Sequence, residues 1–279
     1  MTLNCETSST FENDNWNTQT ATSSGTAFST IGDLAGANTS GKPSFDYDQG
    51  GDQISRDNRK WDGGELGSAG NVTFSYLSNQ QADNGYGELT AAQKATTEKA
   101  MDILSSVANI TFQAADGGNG NNVSDQGEIK LQGYDGGGGW ASWGLRGGGA
   151  TNEMVGATIA LGGDNLRLAL HEVGHAIGLS HPGDYNGGGS SYENDAEFYQ
   201  DSAQYSVMSY WSGEKTGAEL YGATGLGLYD IAALQRVYGA NETTYTGDTV
   251  FGFNSNTGDD GWTLTGDNDH IQAAIWDAG

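Results

Sequence analysis

The sequence has one cysteine, two prolines and 11 lysines and arginines among 279 residues. A single cysteine excludes an intramolecular disulfide framework, so no covalent cross-link holds the fold. No apolar run approaches the roughly 18 residues that a membrane-spanning helix needs, and membrane insertion is not expected. Basic side chains are outnumbered by 36 acidic ones, for a net charge of −25. Binding a phosphate backbone takes clustered Lys and Arg, so nucleic acid is not expected as a partner. The first residues, MTLNCETSSTFENDNW, lack both the basic start and the apolar stretch of a secretory signal peptide. Hydrophobic residues are sparse at 35%. Their place is taken by 46 glycines together with Asn, Ser, Thr and Asp, the composition of turn-rich and often calcium-binding surfaces. The length suits one large domain or two modest ones, burying about three quarters of the unfolded surface.

Residues 1 to 40 are polar, with isolated Trp16, Phe28 and Ile31 and no period that would bury a face, and read as a flexible tail or pro-segment. Organised sequence starts near Lys42-Pro43. In NVTFSYL (71–77), Val72, Phe74 and Tyr76 alternate with Thr73 and Ser75, the pattern of a half-buried strand. Thr90 and Gln93 form a capping box for a helix whose apolar stripe is Ala100, Met101, Leu104 and Val107. Strands are expected at 108–112, 128–132 and 157–161, punctuated by glycine clusters. A second amphipathic helix runs through Leu228, Ile231, Leu234 and Val237 and is closed by Gly239.

The chemistry concentrates in His171-Glu172-Val173-Gly174-His175-Ala176-Ile177-Gly178-Leu179-Ser180-His181. A helix starting near Asp164 or Asn165 carries its apolar face through Leu166, Ala169, Leu170, Val173 and Ile177. His171 and His175, four apart, leave the same face and can bind one metal ion. Glu172 is badly placed as a ligand but close enough to reach a water on the metal. Gly178 supplies the left-handed residue that ends the helix, and the reversal delivers His181 as a third nitrogen. Three neutral imidazoles with an open fourth position are what a hydrolytic zinc site requires. Three of the four histidines lie in this segment; His270, alone in a polar stretch, reads as a solvated side chain.

Twenty-seven residues beyond His181, Ser206-Val207-Met208-Ser209-Tyr210 places a Met in a short turn with a Tyr two residues on. The combined pattern resembles the metzincin peptidases, which set a Met-containing turn beneath three zinc-binding histidines. Pro182 after the third His and Tyr210 after the Met are similar to serralysins in particular. So are GLSHPGDYN (178–186), SVMSYW (206–211), DIAALQRVYGAN (230–241) and TGDTVFGFNSNTG (246–258). The resemblance covers about residues 42 to 279 and is loose between 115 and 165.

That resemblance implies an α+β fold: a metzincin-like zincin domain with a twisted mixed sheet, two long helices and a glycine-rich C-terminal lobe, followed by the start of a calcium-binding β-roll. The implied layout is a tail over 1–40, a catalytic domain over 41–240 and a truncated β-roll start over 241–279. His171, His175 and His181 would bind one zinc ion, with Glu172 as general base toward the attacking water and then proton donor to the leaving amine. Tyr210 would be an additional zinc ligand at rest and a stabiliser of the oxyanion during turnover. Met208 would pack beneath the metal. Tyr245, Gly247 and Thr249, with Asp277 and Gly279, would supply oxygen ligands to a structural calcium ion. The WDAG at 276–279 ends the sequence before the repeats that the family carries there.

The implied function is a secreted, monomeric zinc endopeptidase acting on proteins or peptides, exported without an N-terminal signal peptide. The alternative is a catalytically silent calcium-binding or adhesive fragment that keeps the fold, and intact Glu172 and Tyr210 favour the enzyme. Three features stay open. GGNGNNV (117–123) is similar to one nonapeptide of a calcium-binding roll but, as a single copy, reads as a glycine-rich loop. Trp140 to Leu145 is a candidate for the strand that meets substrate, or Trp140 and Trp143 are aromatic plugs in that loop. Cys5 reads as an inert thiol, although some metzincins silence their zinc with a pro-segment cysteine thiolate.

Overall fold

A computed structural model of the chain describes residues 3–5, 40–79, 82, 85–115, 123–218, 224–266 and 270–279. Most of the expected N-terminal tail, with Trp16, Phe28 and Ile31, and nearly all of the GGNGNNV loop lie outside the described residues.

One mixed sheet organises the molecule. Its strands are β1 (Leu3–Cys5), β2 (Gly70–Tyr76), β3 (Tyr86–Gly87), β4 (Ile110–Ala114), β5 (Ile129–Tyr134), β6 (Gly139–Leu145) and β7 (Met154–Leu161). Their order is β1-β6-β7-β5-β2-β4, with β3 pairing separately along β5. The β7-β5-β2-β4 pairings are parallel, whereas β6 runs antiparallel to β7, with Trp143 opposite Ala157. The stretch from Trp140 is therefore a strand and not a glycine loop. The backbone of β1 lies antiparallel along the far side of β6, Leu3 opposite Trp143 and Cys5 opposite Ala141. Those three residues depart from the expected tail because an open strand edge needs only main-chain partners, not a side-chain period.

Among the described residues the helices are α1 (Tyr47–Ile54), α2 (Ala91–Val107), α3 (Leu166–Ala176), the single turn α4 (Tyr192–Asp195) and α5 (Leu228–Tyr238). The capping box of Thr90 and Gln93 opens α2, and Ala100, Met101, Leu104 and Val107 are buried as its stripe requires. Sequence periodicity does not reveal α1, because Gly50 and Gly51 look like a break. They serve as a crossing point instead: a Cβ at Gly50 would lie 2.4 Å from the Tyr229 ring, and one at Gly51 2.6 Å from Cβ of Ala232, so these α5 side chains pack directly on the backbone of α1. Strand limits also moved, by one or two residues at β2, β5 and β4 and further at β7. The strand expected at 108–112 is β4 at 110–114, because Ala108 forms an isolated bridge to Ala240, and β7 starts at Met154, three residues before the expected 157–161.

Among the described residues beyond α5 the strands are the two-residue β8 (Gly252–Phe253) and β9 (Thr263–Leu264), which pair in parallel. The core lies between the sheet and α2, α3 and α5, with Ile129, Leu131 and Ile159 of the sheet and Leu104, Leu170, Val173 and Leu234 of the helices all fully buried.

Candidate metal centre

Helix α3 starts where Asn165 caps it, its side chain accepting from the Leu168 N–H at 2.8 Å. Asn at this position satisfies one of the free N–H groups of the first turn. At the other end Gly178 has φ +106°, and a Cβ there would sit 2.3 Å from the Arg59 carbonyl oxygen, so the chain reverses only with glycine. Two buried aromatics hold the terminal carbonyls: Trp61 Nε1 donates to Ala176 and the Tyr238 hydroxyl to Ile177, both at 2.8 Å. The reversal brings Leu179 and His181 back against the helix.

His171, His175 and His181 are all buried, and their ligating nitrogens lie within 4.8 Å of one another. His175 Nε2 is 2.9 Å and His171 Nε2 is 3.2 Å from Nε2 of His181. Each Nδ1 faces a main-chain carbonyl: Val207 for His171 at 2.8 Å, Leu179 for His175 at 2.9 Å and Tyr185 for His181 at 2.8 Å. A carbonyl only accepts, so each Nδ1 carries the proton and three Nε2 lone pairs point at one another. That arrangement is repulsive until a cation sits between them, and carbonyls on the outer nitrogens are what orient histidines toward a metal. Burial keeps the imidazoles neutral, with His171 lowered to about 4 and His175 and His181 well below their ordinary value. The residues present therefore fit a zinc ion.

Glu172 is fully buried, and neither carboxylate oxygen has a hydrogen-bond partner. Burial pushes its pKa well above the usual carboxylate range. A buried carboxylate with no protein partner is costly unless a water or a positive charge serves it. It faces the start of β6, where a Cβ on Gly139 would lie 3.0 Å from Glu172 Oε1.

Met208 lies fully buried beneath the helix, and Gly174 makes the room: a Cβ there would be 2.8 Å from the Met208 sulfur. The turn is pinned by Asp230, which sequence reasoning did not assign to the site. Its carboxylate accepts from Ser206 Oγ at 2.6 Å, Val207 N at 2.8 Å and Gly227 N at 2.7 Å, so the carbonyl that orients His171 has a fixed residue behind it. The Tyr210 ring lies 4.5 Å from that of His181 and 6.0 Å from that of His171, and its hydroxyl accepts from the Gly187 N–H at 3.3 Å. Trp143 of β6 stacks 6.1 Å from His175, and the Arg59 guanidinium lies over the Trp143 ring at 4.4 Å. No spacing signal ties Arg59 or Asp230 to the histidines, because Trp143 and the Met-turn that they meet there are distant in sequence.

The two segments that carry the residues expected around calcium lie against each other. Thr249 N donates to Gly247 O at 2.8 Å, Ala278 N to Thr244 O at 3.1 Å, and a Cβ on Gly279 would touch the backbone of Thr246. Gly279 N donates to Asp277 Oδ1 at 2.9 Å, and Tyr245 takes a left-handed φ of +55°. His270 is exposed and outside the cluster.

Fold and site together describe a zincin with a Met-turn, and comparison with known proteins narrows the class. Residues 240–279 match the family model for the peptidase M10 serralysin C terminal region. The chain is 38% identical over 262 residues to serralysin A of Dickeya chrysanthemi, covering 88% of this chain and 54% of that protein. It is 38% identical to the metallopeptidase AprA of Pseudomonas marginalis, covering 91% and 58%, and 37% identical to the serralysin of Proteus mirabilis, covering 85% and 54%. Over most of its length the chain is thus similar to the serralysin-type metzincin metalloproteases. It spans about half the length of the curated relatives it matches.

Proposed function

We propose that this protein is a zinc-dependent endopeptidase that hydrolyses peptide bonds of proteins, with Glu172 as general base. The observation that carries the reading is the convergence of three buried Nε2 atoms beside a carboxylate with no protein partner. His171, His175 and His181 would hold the ion. When bound, zinc polarises the scissile carbonyl and brings the pKa of water down to about 7. Glu172 accepts the proton of the attacking water on a carboxylate oxygen and hands it to the nitrogen of the leaving amine. The Tyr210 hydroxyl turns from Gly187 to donate to the carbonyl oxygen as negative charge develops there. The edge of β6 is the proposed place for an extended substrate, supported by the antiparallel backbone of residues 3–5 along it.

The remaining assignments share that standing. Residues 41–240 would form the catalytic unit and 241–279 the opening of a β-roll. Tyr245, Gly247, Thr249, Asp277 and Gly279 would hold a structural calcium ion through oxygen donors, supported by the closure of the 245–249 turn on 277–279. Among the described residues no helix is long and apolar enough to cross a membrane, and secretion of a monomer follows from the serralysin reading. A catalytically silent calcium-binding fragment is the reading to beat, and it leaves the buried Glu172 without a purpose. Casein hydrolysis measured beside the zinc-to-protein ratio, with and without a zinc chelator, separates the two. Turnover should follow zinc occupancy, and a zinc-loaded protein without turnover overturns the proposal.

A further inference from the structure

Between the third histidine and the Met-turn lies a buried carboxylate with no place in the chemistry above. Asp201 is fully buried. Its Oδ1 accepts from the Tyr185 hydroxyl at 2.8 Å and from Ser209 Oγ at 2.7 Å. Each donor belongs to one side of Tyr210. Tyr185 orients His181 twice: its carbonyl accepts from His181 Nδ1, and its ring stacks on the imidazole at 5.4 Å and 17°. The same ring flanks Tyr210 at 4.9 Å. Ser209 directly precedes Tyr210, and its Oγ accepts from the Trp211 N–H at 3.1 Å, which holds the backbone on both sides of the tyrosine. Arg167 fixes the same segment through Ser209 O at 2.6 Å.

From this geometry we infer that Asp201 is a positioning residue that ties the loop carrying Tyr185 to the turn carrying Tyr210, and so sets where the Tyr210 hydroxyl stands relative to His181. A buried carboxylate is a costly way to hold two loops unless its acceptors are needed there, because the hydroxyls of Tyr185 and Ser209 would otherwise lose their partner. One oxygen serving two donors makes the placement of each depend on the other. The inference rests on the peptidase reading of Tyr210 and concerns a residue that touches neither metal nor substrate.

The test is a double-mutant cycle between Asp201→Ala and Tyr210→Phe in the full chain, with zinc content, kcat and KM measured on each preparation. With Tyr210 present, Asp201→Ala should lower kcat about 10-fold, leave KM within about 2-fold and keep zinc full, and Asp201→Asn should recover most of the loss. In the Tyr210→Phe background the same substitution should lower kcat less than about 2-fold. Independently of activity, the metal-free protein carrying ring-labelled tyrosine should show the Tyr210 resonance, identified by its loss in Tyr210→Phe, shifted or broadened by Asp201→Ala. Equal losses in both backgrounds, or an unmoved Tyr210 resonance, overturn the inference. If Asp201→Ala fails to fold, Tyr185→Phe and Ser209→Ala each remove one hydrogen bond. Each should then lower kcat about 3-fold, and only while Tyr210 is present. A parent that binds zinc but never turns over overturns the peptidase reading instead, and the resonance experiment still judges the role of Asp201.

Discussion

The histidine centre and the C-terminal segment are both turns rich in glycine, yet they are held in different ways. Around the histidines the reversal after α3 and the loop beyond it supply two of the orienting carbonyls, four residues from His175 and from His181, and distant elements brace the rest: Val207 lies 36 residues from His171, and Asp230 lies 23 from the Val207 it pins. Past residue 241 several of the polar contacts stay local, as between Thr249 and Gly247 or Gly279 and Asp277, and Asp277 and Gly279 are exposed. A site braced by the whole fold is shaped before its ion arrives. A site of local turns and exposed oxygens gains its shape from its ion, so the two should answer differently to substitution and to metal removal.

The largest effect should come from His181→Ala, which leaves two nitrogens for the ion; zinc content and activity should fall together, and one zinc per chain at the parent's affinity would contradict the ligand set. Glu172→Gln comes next. The amide cannot accept a proton while the three imidazoles remain, so zinc should stay and turnover should drop by about 10²-fold or more. Activity within a few-fold of the parent would remove Glu172 from the chemistry. Tyr210→Phe keeps the ring and should cost about 10²-fold in kcat with full zinc, within the range for one oxyanion donor. A change confined to KM would move Tyr210 to substrate binding.

Acid should separate the two regions in the metal-free protein. Burial lowers the His171 pKa from 6.5 to about 4, so as pH falls below 6.5 the unfolded chain takes up a proton that the folded chain refuses. Stability is therefore full above about pH 6.5 and is lost as pH falls toward 4, by about 1.4 kcal/mol per pH unit for each such proton. Urea midpoints across that range should show the loss, and a His171→Gln protein should show less of it. The smallest effect is expected at the far end: Asp277→Asn should lower the calcium-dependent part of the melting temperature by a few degrees and leave zinc and kcat unchanged. A melting temperature indifferent to calcium in the parent would remove the proposed ion.

Much of the centre was legible because its signals are local. The four-residue spacing of His171 and His175, the glycine that ends the helix and the Met-turn string all fall within short windows, where helix geometry alone fixes which side chains share a face. Helix α2 was legible for the same reason, through Thr90, Gln93 and one apolar stripe. Helix α1 was not, because Gly50 and Gly51 read as a break when their neighbour on α5 is out of view. The strand at 139–145 stayed undecided between strand and loop, since glycine and tryptophan carry no alternation. Pairing with β7 settled it.

The sequence by itself determined which side chains gather at the centre, three imidazoles as metal donors and a carboxylate beside them, at helix-and-turn spacing. Only the tertiary structure decided how those donors are aimed. The Val207 carbonyl that fixes His171 Nδ1, the Asp230 carboxylate behind the Met-turn and the Asp201 oxygen shared by Tyr185 and Ser209 bring together segments that are separate in the chain. Side-chain type is a local property, whereas orientation in a buried site depends on which distant polar groups are brought within hydrogen-bond reach.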